Sequence, residues 1–138
     1  MKEKKTIEFP YYNFEFLLIM SNNDDYINES LYKYGIKLFK EVRYSITETV
    51  HGCVLKNEED TIFAMVLVAG SFDISILVHE CYHMAEKIIK CRLQKNRITI
   101  GNGQDQQDSE LTAYILQDIF KKVNKFYKTN LRKIKRIK

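Results

Sequence analysis

The sequence has little proline, glycine and cysteine, and it has no long apolar run. One proline and five glycines among 138 residues leave little material for linkers and favour a single domain. Cys53, Cys81 and Cys91 are an odd number without Cys-x-x-Cys spacing, so no disulfide framework is expected and a reducing, cytoplasmic location fits better. No segment approaches the roughly 18 apolar residues that a membrane-spanning helix needs.

The positive charge of the chain is concentrated at one end. Nine of the 22 Lys and Arg residues lie in residues 121–138, which contain no Asp or Glu, so residues 1–120 carry 13 basic against 18 acidic residues. We therefore divide the sequence into one domain over residues 1–120 and a basic C-terminal helix end or tail over residues 121–138. Apolar residues between these cations suit nucleic acid or another anionic surface. A solvated helix end is the more frequent meaning of such a charge run and is favoured here.

Apolar patterning predicts strands in two parts of the chain. Residues 6–20 are rich in aromatic and β-branched side chains and predict one or two strands around Pro10. Two further apolar runs, residues 49–55 and 61–69, flank the polar segment 56–60, which has the length and polarity of a hairpin loop. The strands are therefore expected to form a small, largely antiparallel sheet.

Helical spacing of apolar residues predicts three helices. The first covers residues 25–41, with Gly35 inside it. The second covers residues 74–93, with Ser71 or Asp73 as its N-cap. Its core face is expected to carry Ile74, Leu77, Val78, Cys81, Ala85 and Ile88.

A polar segment, residues 101–108, predicts a loop before the last helix. That helix is expected to begin near Ser109 or Glu110 and to cover residues 109–127. Its apolar face should carry Leu111, Ile115, Leu116, Ile119, Phe120, Val123 and Phe126. Together these elements predict an α+β domain, in which a small sheet packs against the helices.

Residues 79–83 read HECYH and match the pattern HExxH. On a helix, His79 and His83 are one turn apart, so their rings project side by side and can share one metal ion. Zinc suits two imidazoles together with a third protein ligand and an open position. Glu80 is turned by about 100° from His79, so it lies beside the ion, where a general base can take a proton from water. The alternative is a pair of polar, partly exposed histidines without metal.

The third ligand is less tightly specified than the histidine pair. Glu110 is our choice, because it opens the next helix 27 residues after His83 and a glycine-bearing loop lets the chain turn back. Its alternative role is that of an ordinary acidic residue in a first helical turn. Glu86 competes but lies on the same helix as the histidines, where a supporting or solvent-facing position suits it better. Asp105 and Asp108 remain further candidates.

The motif His79-Glu80-x-x-His83, followed by Glu110-Leu111-Thr112-Ala113-Tyr114, resembles the zincin metallopeptidases of the gluzincin type. Over residues 61–120 it looks closest to the short zincin-like proteins frequent in phage and prophage genomes. The resemblance implies Zn²⁺ held by His79, His83 and Glu110, with Glu80 as general base. It also implies peptide or isopeptide hydrolysis, and an edge strand that could take an extended peptide or protein substrate.

The chain departs from that family in two respects. Larger gluzincins place an Asp four residues after the ligand Glu, where this chain has Tyr114. Tyr114 shares a face with Glu110 and is expected either to donate a hydrogen bond in the site or to be a core or rim aromatic. His51 is the remaining candidate for a group that stabilises the tetrahedral intermediate, with a solvent-facing strand residue as the alternative.

The sequence therefore predicts a zinc-dependent hydrolase, most simply a small metallopeptidase. The competing hypothesis is a catalytically inactive zincin-like binding protein. Its metal would be structural, or its basic tail would bind nucleic acid or another anionic surface.

Overall fold

The computed structural model describes residues 1–37, 45–70, 73–90 and 104–137, with the side chains of residues 110–131 described in the last of these segments. Four strands form one sheet: β1 (Lys2–Phe9), β2 (Phe14–Ser21), β3 (Gly52–Lys56) and β4 (Phe63–Val68). The helices are α1 (Asp24–Tyr34), α2 (Ile46–Thr49), α3 (Ile74–Ile88) and α4 (Gln104–Ile137), and a single 3-10 turn, Pro10–Tyr12, joins β1 to β2. The expected α+β class is confirmed.

The sheet has the strand order β1-β2-β4-β3. The β1–β2 and β3–β4 pairs are antiparallel, and the central β2–β4 pair is parallel. The predicted hairpin is confirmed as β3–β4, but residue 49 belongs to α2 rather than to a strand. Within the described chain, β1 and β3 are the two edges of the sheet.

The two central strands are buried on both faces because alternate side chains enter two separate cores. In β2, Phe16 and Leu18 face one core while Leu17 and Ile19 face the other, as the two-residue period of a strand requires. The first core is completed by α3 and α4, and the second by α1 and the segment around Ile46. The molecule therefore has three layers, with the sheet between two sets of helices.

The structure corrects the predicted boundaries of two helices. Helix α1 ends at Tyr34 rather than at residue 41, because Gly35 adopts a left-handed conformation (φ 111°) and its N–H bonds to the carbonyls of Leu31 and Tyr32. Residues 38–41 lie outside the described chain. Helix α4 begins at Gln104, so residues 104–108 are helical rather than a loop, and it continues to Ile137, past the predicted end at residue 127.

The core faces of α3 and α4 follow the predicted periodicity with one correction. In α4, Ile115, Ile119 and Val123 are fully buried, and the other predicted apolar residues are partly buried. In α3, Ile74 and Val78 are exposed by 52% and 42%, whereas the buried positions are Leu77, Glu80, Cys81, Met84, Ala85 and Ile88. The buried stripe is thus rotated toward Glu80, because β3 approaches α3 on that side.

Candidate metal centre

The histidine pair lies on a helix whose start is firmly defined. Asp73 caps α3, and its Oδ1 accepts hydrogen bonds from the N–H groups of Ser75 (2.9 Å) and Ile76 (3.2 Å). These bonds satisfy two of the unpaired donors at the helix start. Ser71, the other predicted cap, and residues 91–93 of the predicted helix lie outside the described chain. The helix then carries His79 and His83 on its exposed face, one turn apart.

The two imidazoles meet through their outer nitrogens. The Nε2 atoms of His79 and His83 are 2.9 Å apart, and the ring centroids are 4.5 Å apart with the ring planes at 84°. Without a metal, this distance is that of one N–H···N hydrogen bond, in which one ring donates and the other accepts. The two outer nitrogens therefore converge on one helix face, and their binding of a metal stays a prediction.

The pair fits a zinc ion with a small adjustment. With Zn–N bonds of about 2.0–2.1 Å, a tetrahedral angle separates two nitrogens by about 3.3–3.4 Å. The observed separation of 2.9 Å corresponds to an angle of about 90° at the same bond lengths. Opening the pair by about 0.4 Å is a change that two exposed side chains can make by rotation. A donor set of two imidazole nitrogens on one helix face suits zinc, which would replace the hydrogen bond between the two Nε2 atoms.

Glu80 occupies a different environment from its histidine neighbours. Its side chain is only 5% exposed, because β3 approaches α3 closely at Gly52. A Cβ built at position 52 would lie 3.2 Å from Glu80 Cγ and 3.3 Å from Ile76 Cγ2. Burial raises the pKa of the Glu80 carboxyl above its ordinary value, while the charges of His79 and His83 act in the opposite direction. Catalytic carboxylates are often found in a buried environment of this kind, which raises the carboxyl pKa.

A cavity of about 550 Å³ lies between the start of β3 and the first turns of α3. His79 and Glu80 form one wall, and His51 and Gly52 form the opposite wall. His51 is held there by the sheet, because its carbonyl accepts a hydrogen bond from the N–H of Val68 (2.9 Å). The chain has three histidines, and the cavity and the Nε2 contact bring all three into one region.

Glu86 contacts the other side of His83. Its Oε1 lies 3.5 Å from His83 Nδ1, and both side chains are about half exposed. A carboxylate at Nδ1 favours the tautomer with the proton on that nitrogen, which leaves Nε2 free to bind a metal. Glu86 therefore lies where a residue that orients a ligand would lie, rather than on the Nε2 side.

The structure does not bring a third ligand to the histidine pair. Among the described residues, no three His, Cys, Asp or Glu side chains lie close enough together to hold a metal ion. Glu110 is exposed near the start of α4, which packs beside α3, and Tyr114 is exposed by 65% one turn later. Tyr114 does not line the cavity. Glu110 as ligand stays a prediction, and the side chains of Asp105 and Asp108 lie outside the described part.

The described cysteines do not compete as ligands. Burial raises the pKa of the Cys53 and Cys81 thiols to about 12, and the nearby charge of Glu80 acts in the same direction. Because the thiolate is the form that binds metal, burial makes both thiols less favourable ligands than the exposed imidazoles.

Sequence reasoning undervalued His51, which lies 28 positions before His79. No spacing rule relates the two residues, since a strand-to-helix connection of any length can join them. The usable signal was the position of His51 at the start of an edge strand just upstream of the HExxH helix.

Comparison with known proteins finds no matching family model, no matching curated protein and no matching solved structure. Within the residues that the structure describes, no helix is both long enough and apolar enough to cross a membrane.

Proposed function

We propose that this protein is a zinc-dependent hydrolase that cleaves peptide bonds. The observation that carries the proposal is the 2.9 Å approach of the His79 and His83 Nε2 atoms, on the helix whose buried Glu80 lines a cavity together with His79. In this proposal Glu110 completes the ligand set from α4, as the resemblance to gluzincins implies. A bound zinc ion would supply Lewis-acid polarisation of a substrate carbonyl and would acidify the attacking water.

The chemical work of Glu80 follows from its position. Its carboxylate lines the cavity on the same wall as His79, so it can accept a proton from water as the water attacks the carbonyl. The proton then rests on a carboxyl oxygen until Glu80 passes it to the leaving amine.

His51 lines the same cavity as His79 and Glu80. An N–H of its imidazole can donate a hydrogen bond to the carbonyl oxygen as negative charge develops there. The backbone of β3 also supports a substrate site, because β3 is an edge strand and an extended peptide can pair with such an edge. We therefore propose an extended peptide or unfolded protein segment as substrate, lying along β3 toward the cavity.

The proposed location is the cytoplasm. Cys53 and Cys81 are free thiols in the described chain, which suits a reducing compartment.

The experiment that tests the proposal compares wild type with Glu80→Gln, each loaded with zinc and mixed with a pool of fluorescence-quenched peptides. We expect the variant to lose at least about a hundredfold in kcat while it retains the zinc content of wild type. Glu59→Gln is the matched control, because Glu59 is exposed in the hairpin loop and its change should leave turnover unaffected.

Two outcomes would contradict the proposal. If zinc-loaded wild type cleaves no peptide, or if Glu80→Gln cleaves as fast as wild type, Glu80 is not a catalytic base. A protein that then melts on chelation would hold a structural metal instead.

A further inference from the structure

A second concave surface lies at the edge of the sheet opposite to the histidine pair. The histidine cavity borders β3, whereas this groove borders β1, and these strands are the two edges of the sheet. The groove has a volume of about 380 Å³ and is lined by Lys5, Lys122 and Lys125, with one acidic neighbour, Glu8. The proposed hydrolase does not use this surface.

The fold fixes the three lysines relative to one another. Ile7 and Phe9 of β1 are buried in the core that α4 completes, and Lys5 lies on the same strand face one pleat earlier. From α4, the Lys122 ammonium donates a hydrogen bond to the Glu8 carbonyl and lies 4.5 Å above the Phe9 ring. The groove therefore belongs to packed secondary structure rather than to a loose charged tail.

The groove continues into a basic face of α4. Lys121, Lys125 and Lys128 are exposed, and their spacing of four and three residues places them along one side of the helix. The helix has 34 residues, which corresponds to a length of roughly 51 Å. These exposed lysines lie in a segment, residues 121–138, that contains nine cations and no acid, which favours an extended polyanion as partner.

The packing of α4 argues against a membrane surface as the partner. A helix that lies on a membrane must insert an apolar face. In the described part of α4, Val123 and Asn130 are buried, and Phe126 and Tyr127 pack against the protein core. The apolar side of α4 over residues 110–131 is thus already covered, and Lys121, Lys125 and Lys128 remain exposed.

An aromatic side chain next to the groove points to single-stranded nucleic acid. Tyr11 follows Pro10, which lines the groove, and its side chain is 95% exposed. The turn that carries it is tied to α4, because the Tyr12 hydroxyl donates a hydrogen bond to Asp118 Oδ2 (3.0 Å). Exposed aromatic rings beside cationic grooves are the elements on which unpaired bases stack.

We propose that this surface binds single-stranded nucleic acid without sequence specificity. Lys5, Lys122 and Lys125 contact backbone phosphates, Tyr11 stacks on a base, and the basic face of α4 extends the contact. This proposal is independent of the hydrolase proposal, because the two surfaces lie at opposite sheet edges.

The test measures the affinity of the full chain for a fluorescein-labelled oligothymidylate by fluorescence anisotropy at several salt concentrations. Wild type should bind with an affinity that falls as salt rises. Replacing Lys5, Lys122 and Lys125 by Gln should weaken binding at low salt by at least about tenfold. It should also reduce the slope of log K against log salt concentration by about 2, because each of the three lost phosphate contacts contributes about 0.7. Tyr11→Ala should weaken binding by about tenfold, and Tyr11→Phe should restore most of it.

The matched control replaces Lys33, Lys56 and Lys90, which are exposed elsewhere, by Gln. Both triple variants lower the net charge from +4 by the same three units. The double variant Lys5→Gln/Lys125→Gln keeps the contacts of Lys122 with the sheet, so its folding should not change. It should still lose affinity for the oligonucleotide, which shows that the loss is one of binding. The proposal is overturned if wild type does not bind, if both triple variants lose affinity equally, or if vesicles with anionic lipid bind and displace the oligonucleotide.

Discussion

The close approach of β3 to α3 makes Gly52 a sensitive test of the site. In Gly52→Ala the new Cβ would meet Glu80 Cγ at 3.2 Å, Ile76 Cγ2 at 3.3 Å and the Val66 carbonyl oxygen at 3.3 Å. All three distances are shorter than ordinary van der Waals contact, and the carbonyl belongs to a paired strand that cannot easily retreat. We therefore expect α3 to move away from β3 by a few tenths of an ångström.

The magnitude follows from two opposing effects. Overpacking of this kind destabilises the folded state by about 1–3 kcal/mol. Alanine also restricts the unfolded chain more than glycine does, which stabilises the protein by about 0.4–1 kcal/mol. The net destabilisation should be about 1 kcal/mol, which lowers the Tm of a domain of this size by about 3–5 °C. Glu80 is displaced relative to the wall that carries His51, so kcat should fall severalfold. Zinc affinity should change little, because His79 and His83 move together on one helix.

Thermal unfolding, zinc titration and peptide turnover measure these three effects in one preparation. Gly70→Ala is the matched control: Gly70 has φ 88°, and a Cβ at that position would meet nothing within 4 Å. It should cost about 1 kcal/mol through backbone strain alone and leave kcat unchanged. The reasoning is refuted if Gly52→Ala melts and turns over like wild type, or if both variants lose kcat to the same extent.

Three other changes test further contacts. Asp24 accepts hydrogen bonds from Ser45 and Thr47, and although burial acts to raise its pKa, these bonds outweigh it and lower the pKa. Asp24→Asn should therefore cost about 1 kcal/mol at neutral pH, measured by urea unfolding, with Glu58→Gln, which is exposed in the hairpin loop, as control. A carboxyl group whose pKa is lower in the folded than in the unfolded state stabilises the fold in full above the unfolded pKa. The difference in unfolding free energy between wild type and Asp24→Asn should therefore shrink as the pH falls below about 4. A pH-independent difference would contradict this. Glu86→Gln should weaken zinc binding by about tenfold and Glu110→Gln should abolish it, measured by competition with a chromogenic chelator. The reverse order would make Glu86 the ligand.

Local sequence signals predicted most of the fold correctly. The β3–β4 hairpin, the start of α3 at its Asp73 cap and the buried face of α4 all depend on short-range patterns, and all three are confirmed. Gly35 marks the end of α1 in the sequence, but the prediction gave more weight to apolar spacing. Its freedom to adopt positive φ ends α1, although apolar spacing continues beyond it.

The wrong predictions concern features that depend on tertiary packing or on polar segments with weak sequence signals. Residues 104–108 contain no glycine or proline, and acidic residues in a first turn favour a helix, so polarity alone was a poor reason to predict a loop. On α3, periodicity could not show from which side β3 approaches, and therefore could not show that Val78 is exposed while Glu80 is buried. The position of His51 opposite Glu80 likewise depends on how the sheet and α3 pack together.

The histidine pair itself was predictable, because one helical turn fixes the relation between His79 and His83 without tertiary information. The third ligand was not fixed in the same way. Glu110 belongs to a separate helix, and its distance from the pair depends on how α3 and α4 pack.

The most direct test of the metal-centre proposal is the zinc content of the purified protein, measured by elemental analysis after equilibration with zinc and removal of the excess. The proposal predicts about one zinc ion per chain in wild type and in Glu80→Gln, and almost none in His79→Ala or His83→Ala. Zinc-free wild type, or His83→Ala with a full complement of zinc, would contradict it.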